Sequence, residues 1–403
     1  MVRVLHLVGD SKFGGGSIIV LRLAELARSL GCKVDVLATD ETFLSVLGEA
    51  GLGAVPLDVV RRPIRPLWDI LGAYRLTRFL RDNPYTVVHT HTSKAGFIGR
   101  WAAKRARVPV IIHTVHGFPF HEASPWLLAE FYAALERRAA EWCDWLVTVS
   151  DYHRQWAARL GIGSEPQRIA IPNGLSPARV APNQSWLETR GQAGIPPDEF
   201  VILSTGRLAP QKGLEYLIDA AALVCKSRPV RVMIAGDGPL RGSLESRARC
   251  LGIEDRVHFL GFRQDVGNLL AASDLVAIPS LWEGLSIALL EAMAAGKPIV
   301  ASTIGSNCEV LRHDHTALLI PPKDSSALAE AIIRIADNSR IARDLGGNAR
   351  KHFASVYTED RMLAQYAQLY KTALQSRGFS LPQTSVCSPT NLEPLWEPQR
   401  RVA

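Results

Sequence analysis

Neither a disulfide framework nor a zinc site is supported by the cysteines of this 403-residue chain. The six (Cys32, Cys143, Cys225, Cys250, Cys308, Cys387) are scattered, with no CxxC or short metal spacing. They read as reduced thiols in a cytosolic setting. No window reaches about 18 uncharged apolar residues, which excludes a transmembrane helix. The apolar run in the opening "MVRVLHLVGDSKFGGG" is too short for a signal h-region and reads as a first buried strand. GxGxxG after a strand, with an acid about twenty residues on, is absent too, and with it the dinucleotide-dependent oxidoreductases. "MAAGKP" lacks the first glycine and the following Ser/Thr of a P-loop.

What is present is a soluble globular composition, 47% hydrophobic and 21% charged. The length implies at least two domains. Short β-rich runs alternate with helical patterns from end to end. The first half offers "VRVLHLV", "KVDVLAT", "TVVHTH", "PVIIHT", "WLVTVS" and "RIAIP"; the second offers "FVILSTG", "VRVMIAG", "RVHFLG", "DLVAIP", "PIVAS" and "ALLIP". These runs are near-continuously apolar, as strands covered on both faces should be. The pattern predicts an α/β protein of two doubly wound, Rossmann-like parallel-sheet domains with a ligand at the carboxyl ends of the strands, in the cleft between them. The expected boundaries are residues 1–175, a Pro/Gly/Asn/Ser-rich linker at 176–197, a second domain at 198–357, a helix at 358–376 free to pack on either domain, and a disordered tail at 377–403.

Two acids stand out in "SLWEGLSIALLEAMAAGKPIVAS". Glu283 falls in a loop after the strand "DLVAIPS", and Glu291 about two turns into the helix "LSIALLEAMAA". Gly284, Leu285 and Ser286 are expected to form that helix's first turn, with backbone amides suited to an anion. Taken alone, the two acids also fit a helix-dipole partner and a solvated helix position. Upstream, "STGRLAPQKG" places Arg207 and Lys212 at another strand's carboxyl end, where two cations suit a departing diphosphate.

Glu283 and Glu291 in "EGLSIALLE", with "GRLAPQKG", "IAGDGPL" and "FLGFRQDV", resemble the retaining GT-B glycosyltransferases of family 4, and the likeness runs through about Ser376. The resemblance implies that Glu291 holds the donor's ribose hydroxyls and that Glu283 contacts the transferred sugar. It also implies that Arg207 and Lys212 bind the diphosphate and that Phe262 and Arg263 border the base. Asp265 reads as a turn or cap residue. Catalysis would then rest on His116, Arg207, Lys212 and Glu283, with a nucleotide diphosphate sugar as donor. No cofactor and no obligatory metal are expected, because the cations take a metal's place. The alternatives are transfer to a small soluble acceptor, or a non-catalytic nucleotide-sugar-binding protein.

In the first half, Gly14, Gly15 and Gly16 separate the first strand from the first helix. A flexible connection explains them equally well, but in the resembled family this loop borders the diphosphate, and Gly15 and Gly16 are donor-side candidates. The family's acid shortly after the glycines is replaced here by Ser17-Ile18-Ile19. Histidines cluster at His89, His91, His113, His116 and His121. His89 and His91 share a strand face, yet the carboxylate and thiol partners of a metal site are missing at useful spacing. The resemblance selects His116 of "HGF" as the histidine against the transferred sugar.

Between Asp58 and Arg107 eleven Lys/Arg face three acids, a net +8. Without aromatic or motif support for nucleic acid, this segment fits either solvated helix faces or an anionic surface. "HTSKAGFIGRWAAKRA" is similar to family members acting on lipid-linked acceptors in bacterial surface polysaccharide synthesis. Phe118, Phe120, Trp126, Leu127, Leu128, Phe131 and Tyr132 beside Arg137 and Arg138 suit partial insertion at a membrane. The same apolar residues would equally serve a core. The expectation is a cytoplasmic enzyme, peripheral on the inner face of the cell membrane, extending a polyprenyl-diphosphate-linked glycan.

Overall fold

A computed structural model describes residues 1–9, 14–55, 57–61 and 65–381. The expected tail lies, from residue 382 on, outside the described residues.

Thirteen strands are described: β1 (Arg3–Gly9), β2 (Lys33–Ala38), β3 (Gly53–Val55), β4 (Val87–His91), β5 (Val110–Val115), β6 (Trp145–Thr148), β7 (Arg168–Ala170), β8 (Phe200–Thr205), β9 (Val230–Ala235), β10 (Val257–Gly261), β11 (Leu275–Ile278), β12 (Ile299–Ser302) and β13 (Leu318–Ile320). Two sheets result, in the orders β3-β2-β1-β4-β5-β6-β7 and β10-β9-β8-β11-β12-β13. The pairings within them are parallel. Both are doubly wound, with the strand order reversing beside β1 and beside β8. The apolar strands are covered by helices on both faces, which is why they lack alternation.

Two compact units enclose these sheets: Met1–Asn173 with the chain from Asp360 on, and Gly174–Glu359. In the first, Leu5, Leu7, Leu37, Val88 and Ile111 pack under the helices Pro66–Asp82 and Ser93–Arg105. In the second, Ile202, Leu217, Ile218, Val232, Ala277 and Val300 form the core with Ile332.

The segment expected as a linker belongs to the second unit and is built into it. It holds a 3-10 turn, Pro177–Val180, and a helix, Trp186–Gln192. Buried Arg190 fastens that helix, donating to the carbonyls of Ala272 (2.9 Å), Pro197 (2.8 Å) and Glu199 (2.9 Å) and to the Asp274 carboxylate (2.8 Å). The last helix, Glu359–Gln375, belongs to the first unit. There the hydroxyls of Tyr370 and Tyr366, both fully buried, meet His89 Nδ1 (2.8 Å) and Thr114 Oγ1 (3.2 Å).

Candidate active site

In the second unit β8 and β11 are neighbours in the sheet, so the loops leaving their carboxyl ends meet. The backbone N–H of Leu281 donates to the Gln211 carbonyl at 2.8 Å, joining them. Gly213 makes this approach possible: its φ is +57°, and a Cβ there would lie 2.3 Å from the Pro279 carbonyl oxygen. Only glycine tolerates both conditions.

This junction sets Lys212 against Glu283. The ammonium lies 2.6 Å from Glu283 Oε1, which also accepts from Ser280 Oγ (2.9 Å), and Gln211 donates to Oε2 (3.0 Å). Glu283 is thus clamped by residues of both loops, its side chain only 7% exposed. Arg207 follows β8 and is exposed.

The helix after Glu283 starts later than the sequence suggests. It spans Ile287–Ala294 with Ser286 at the N-cap position in extended conformation, so Gly284, Leu285 and Ser286 precede the first turn instead of forming it. Ser286 Oγ is buried and makes no cap bond, which leaves it unpartnered at the helix's amino end. Glu291, the fifth helical residue, sits little more than one turn in.

Burial of Glu291 raises its carboxyl pKa above the ordinary value, and the charges of Arg179 and Lys212 pull in the opposite direction. Arg179 Nε donates to Glu291 Oε1 at 2.7 Å. Arg179 was not among the residues singled out in the sequence. It lies in a Pro/Gly-rich stretch 112 positions away, and no local spacing marks the pair.

Phe262 is exposed. Arg263 makes two bonds to Asp265 (2.7 and 2.6 Å), whose carboxyl that guanidinium lowers to about 2. Asp265 occupies the N-cap position of the helix Val266–Ala272, but its side chain caps nothing.

In the first unit the helix Gly15–Ser29 begins directly after Gly14, and a Cβ on Gly16 would meet nothing within 4 Å, so that position borders open space. His116 follows β5, half-buried, with Nε2 3.2 Å from His91 Nδ1. His91 Nε2 in turn lies 3.1 Å from His6 Nδ1, so three imidazoles form one hydrogen-bonded chain. Burial lowers His116 to about 4 and His6 to about 3, which keeps both neutral at physiological pH. His6, His89 and His91 also bring their ring nitrogens within 4.8 Å of one another. Most of those nitrogens are already engaged: His89 by Tyr370 and Thr114, His91 by its two ring neighbours, and His6 through Nδ1, while His6 Nε2 is buried without a hydrogen bond. A metal would have to displace these bonds.

Phe118 and Phe120, considered above for membrane insertion, are core residues packed with Trp156 and Val115. Arg100, counted in the basic segment, is fully buried and paired with Glu136 at 2.7 Å. Lys94 pairs with Asp69 at 2.7 Å. Exposed instead are Leu67, Trp68, Ile70, Leu71 and Tyr74 on the helix Pro66–Asp82, and Trp126, Leu127, Leu128 and Phe131 on the helix Trp126–Ala140.

The architecture and motifs are matched by known proteins. The family model "Glycosyltransferase Family 4" matches residues 13–179, and "Glycosyl transferases group 1" matches residues 187–352. A UDP-Gal:alpha-D-GlcNAc-diphosphoundecaprenol alpha-1,3-galactosyltransferase of Escherichia coli is 30% identical over 376 residues, covering 92% of this chain and 96% of that protein. A phosphatidyl-myo-inositol mannosyltransferase of Mycobacterium leprae is 30% identical over 374 residues, covering 90% and 94%. The crystal structure of Anabaena Alr3699/HepE in complex with UDP and glucose shares the fold, with a TM-score of 0.81 at 24% identity over 92% of this chain and 100% of that one. With both halves matched and a relative similar along nearly its whole length, the chain belongs to the GT-B glycosyltransferases, with a family 4 amino-terminal domain and a group 1 carboxy-terminal domain.

Proposed function

We propose that this glycosyltransferase moves a hexose from a nucleotide diphosphate sugar, with retention at the anomeric carbon, to a polyprenyl-diphosphate-linked glycan in surface polysaccharide synthesis. The observation that carries the reading is the paired constellation of the second unit, Lys212 with Glu283 and Arg179 with Glu291. It gathers acids for sugar hydroxyls and a cation for diphosphate beyond the carboxyl ends of neighbouring central strands. The acceptor rests on the Escherichia coli relative, whose name specifies a diphosphoundecaprenol-linked substrate.

In this reading Glu291 accepts from the ribose hydroxyls, and Glu283 and His116 contact the transferred sugar. The bond from the anomeric carbon to the leaving phosphate oxygen breaks, and a bond to an acceptor hydroxyl oxygen forms on the same face. The leaving phosphate oxygen takes the acceptor's proton. Arg207, Lys212 and the amides of Gly284–Ser286 stabilise the charge developing on the diphosphate, with Gly15 and Gly16 leaving room for it. Glu283 is ill suited to attack as a nucleophile, because Lys212, Gln211 and Ser280 occupy both its oxygens. Two cations at the diphosphate make an obligatory metal unnecessary.

Thermal stabilisation by a panel of UDP-, GDP- and ADP-sugars identifies the donor, because binding to the native state raises the melting temperature by mass action. The anomeric configuration of the product, read by NMR, then tests retention. Stabilisation by none of the panel, or an inverted product, defeats the proposal.

The exposed apolar faces of helices Pro66–Asp82 and Trp126–Ala140 favour a peripheral membrane enzyme at the inner leaflet. Arg61, Arg65, Arg75, Arg78, Lys104 and Arg105 are also exposed in the first unit. Apolar groups that insert, beside cations that meet anionic headgroups, suit reversible attachment.

A further inference from the structure

We infer that Arg179 is a positioning residue of the donor site, holding Glu291 as an ionised, oriented carboxylate that accepts the ribose hydroxyls of the donor nucleotide. The inference rests on the ribose role proposed for Glu291 and adds what makes that role possible.

Glu291 is a carboxylate enclosed almost completely, its side chain 6% exposed, among Leu289, Leu290, Ala292 and Met293. A buried carboxylate is costly unless paired, and it otherwise takes up a proton. The charged groups acting on it are Arg179, in direct contact, and Lys212 at longer range. Lys212 is already bonded to Glu283. Even with both cations present burial wins, and the carboxyl remains raised. Losing Arg179 therefore moves it further toward the neutral acid.

Geometry reinforces the electrostatics. Arg179 donates through Nε to Oε1 at 2.7 Å, a bond that restricts how the carboxylate turns while it engages one of its two oxygens. Two vicinal ribose hydroxyls are donors, and they bind an ionised carboxylate much more strongly than a protonated one. The Arg179 backbone is itself held. Its N–H bonds the Ser176 carbonyl at 3.0 Å, and Val180 beside it is buried. The turn lies so close to the helix Val266–Ala272 that a Cβ on Gly267 would come 2.6 Å from the Ala181 carbonyl oxygen. A swinging surface arginine has no such anchorage.

The test is calorimetric binding of UDP, GDP and ADP from pH 5.5 to 8, the tightest of the three serving as probe beside its 2′,3′-dideoxy form. The wild type should bind the ribose form at least about tenfold more tightly, the worth of a charge-assisted hydrogen bond, with a shallower dependence on pH than either variant. Arg179→Met should lose that preference as the pH falls and regain part of it at pH 8. Arg179→Lys, which restores charge without the Nε–H donor, should fall between the two. Should Arg179→Met not fold, the comparison rests on Arg179→Lys, whose preference must then depend more steeply on pH than the wild type's. Unchanged, pH-independent preference in both variants overturns the inference. So does an equal loss for ribose and dideoxy forms at every pH. If instead Glu291→Gln binds ribose and dideoxy forms like the wild type, or no nucleotide binds, the ribose reading of Glu291 fails and the inference with it.

Discussion

Lys212 Nζ stands 2.6 Å from Glu283 Oε1, so a cation proposed for the diphosphate and an acid proposed for the sugar neutralise each other across two loops. The pair is largely shielded, with 17% and 7% side-chain exposure. A donor entering here would exchange one set of partners for another and would leave no charge stranded. The same contact sets how substitutions at the site should behave.

Lys212→Ala and Arg207→Ala should each lower kcat by about 10²–10³, the usual cost of removing one electrostatic donor to a developing anion. Glu283 keeps Gln211 and Ser280 in the first variant but loses its cation while largely buried, so the melting temperature should fall as well, and the rate loss counts only where the variant is fully folded. Steady-state rates at saturating donor, taken with thermal melts, decide the matter; near-normal turnover in either variant would remove the diphosphate role.

Glu291→Ala should weaken free nucleotide diphosphate, whereas Glu283→Ala should spare it and damage transfer. The motivation is position: Glu291 is enclosed in the helix beside Arg179, and Glu283 is clamped in the loop. Calorimetric titration with UDP, GDP or ADP compares the two, and equal losses of affinity would reject the division of labour.

Acid should destabilise the first unit steeply. Burial lowers His6 to about 3 and His116 and His153 to about 4, and it holds His89, His91 and His113 well below the ordinary 6.5. Below pH 6.5 the unfolded chain therefore binds more protons than the folded one. Stability is fully present above that pH and is lost as the pH falls toward the folded values. Each buried histidine contributes a slope of about 1.4 kcal/mol per pH unit. Urea midpoints measured from pH 7.5 to 5 should fall continuously, and a flat profile would mean that these rings protonate in place.

Vesicles should bind the chain when they contain anionic lipid, and less so as salt rises, each basic group near the leaflet adding roughly 1 kcal/mol. Leu71→Glu and Phe131→Glu, at exposed positions, should reduce co-sedimentation without altering the melting temperature. Binding to neutral vesicles at the same level, or none to anionic ones, would favour a soluble acceptor.

Much of this architecture is legible in the sequence because parallel strands buried on both faces are continuous apolar runs. The twelve runs named from pattern all correspond to strands. β3 escaped notice: Gly53–Val55 is three residues long, largely exposed at a sheet edge, and has no periodicity to detect. The acids and cations of the second unit were visible as types and spacings. Arg179 was not, because its partner comes from tertiary packing alone. The same limit misread Arg100, which looks basic and solvated but crosses the core to Glu136, and left Phe118 open between a membrane face and the core it is found in. The three residues of delay before the helix at Ile287 reflect the extended conformation of Ser286, which no propensity of the run Leu285–Leu290 announces.

The helix Glu359–Gln375 has a consequence for how a ribosome delivers this chain. Tyr366 and Tyr370 complete the first unit from positions 252 and 281 residues beyond Thr114 and His89. At translation rates of about 5–20 residues per second, a nascent amino-terminal unit waits on the order of 10–60 s with a fully buried ring nitrogen and hydroxyl lacking their final partners. During that interval all of the Gly174–Glu359 unit emerges and is free to fold first. Vectorial synthesis therefore delivers the last piece of the first unit only after the whole of the second.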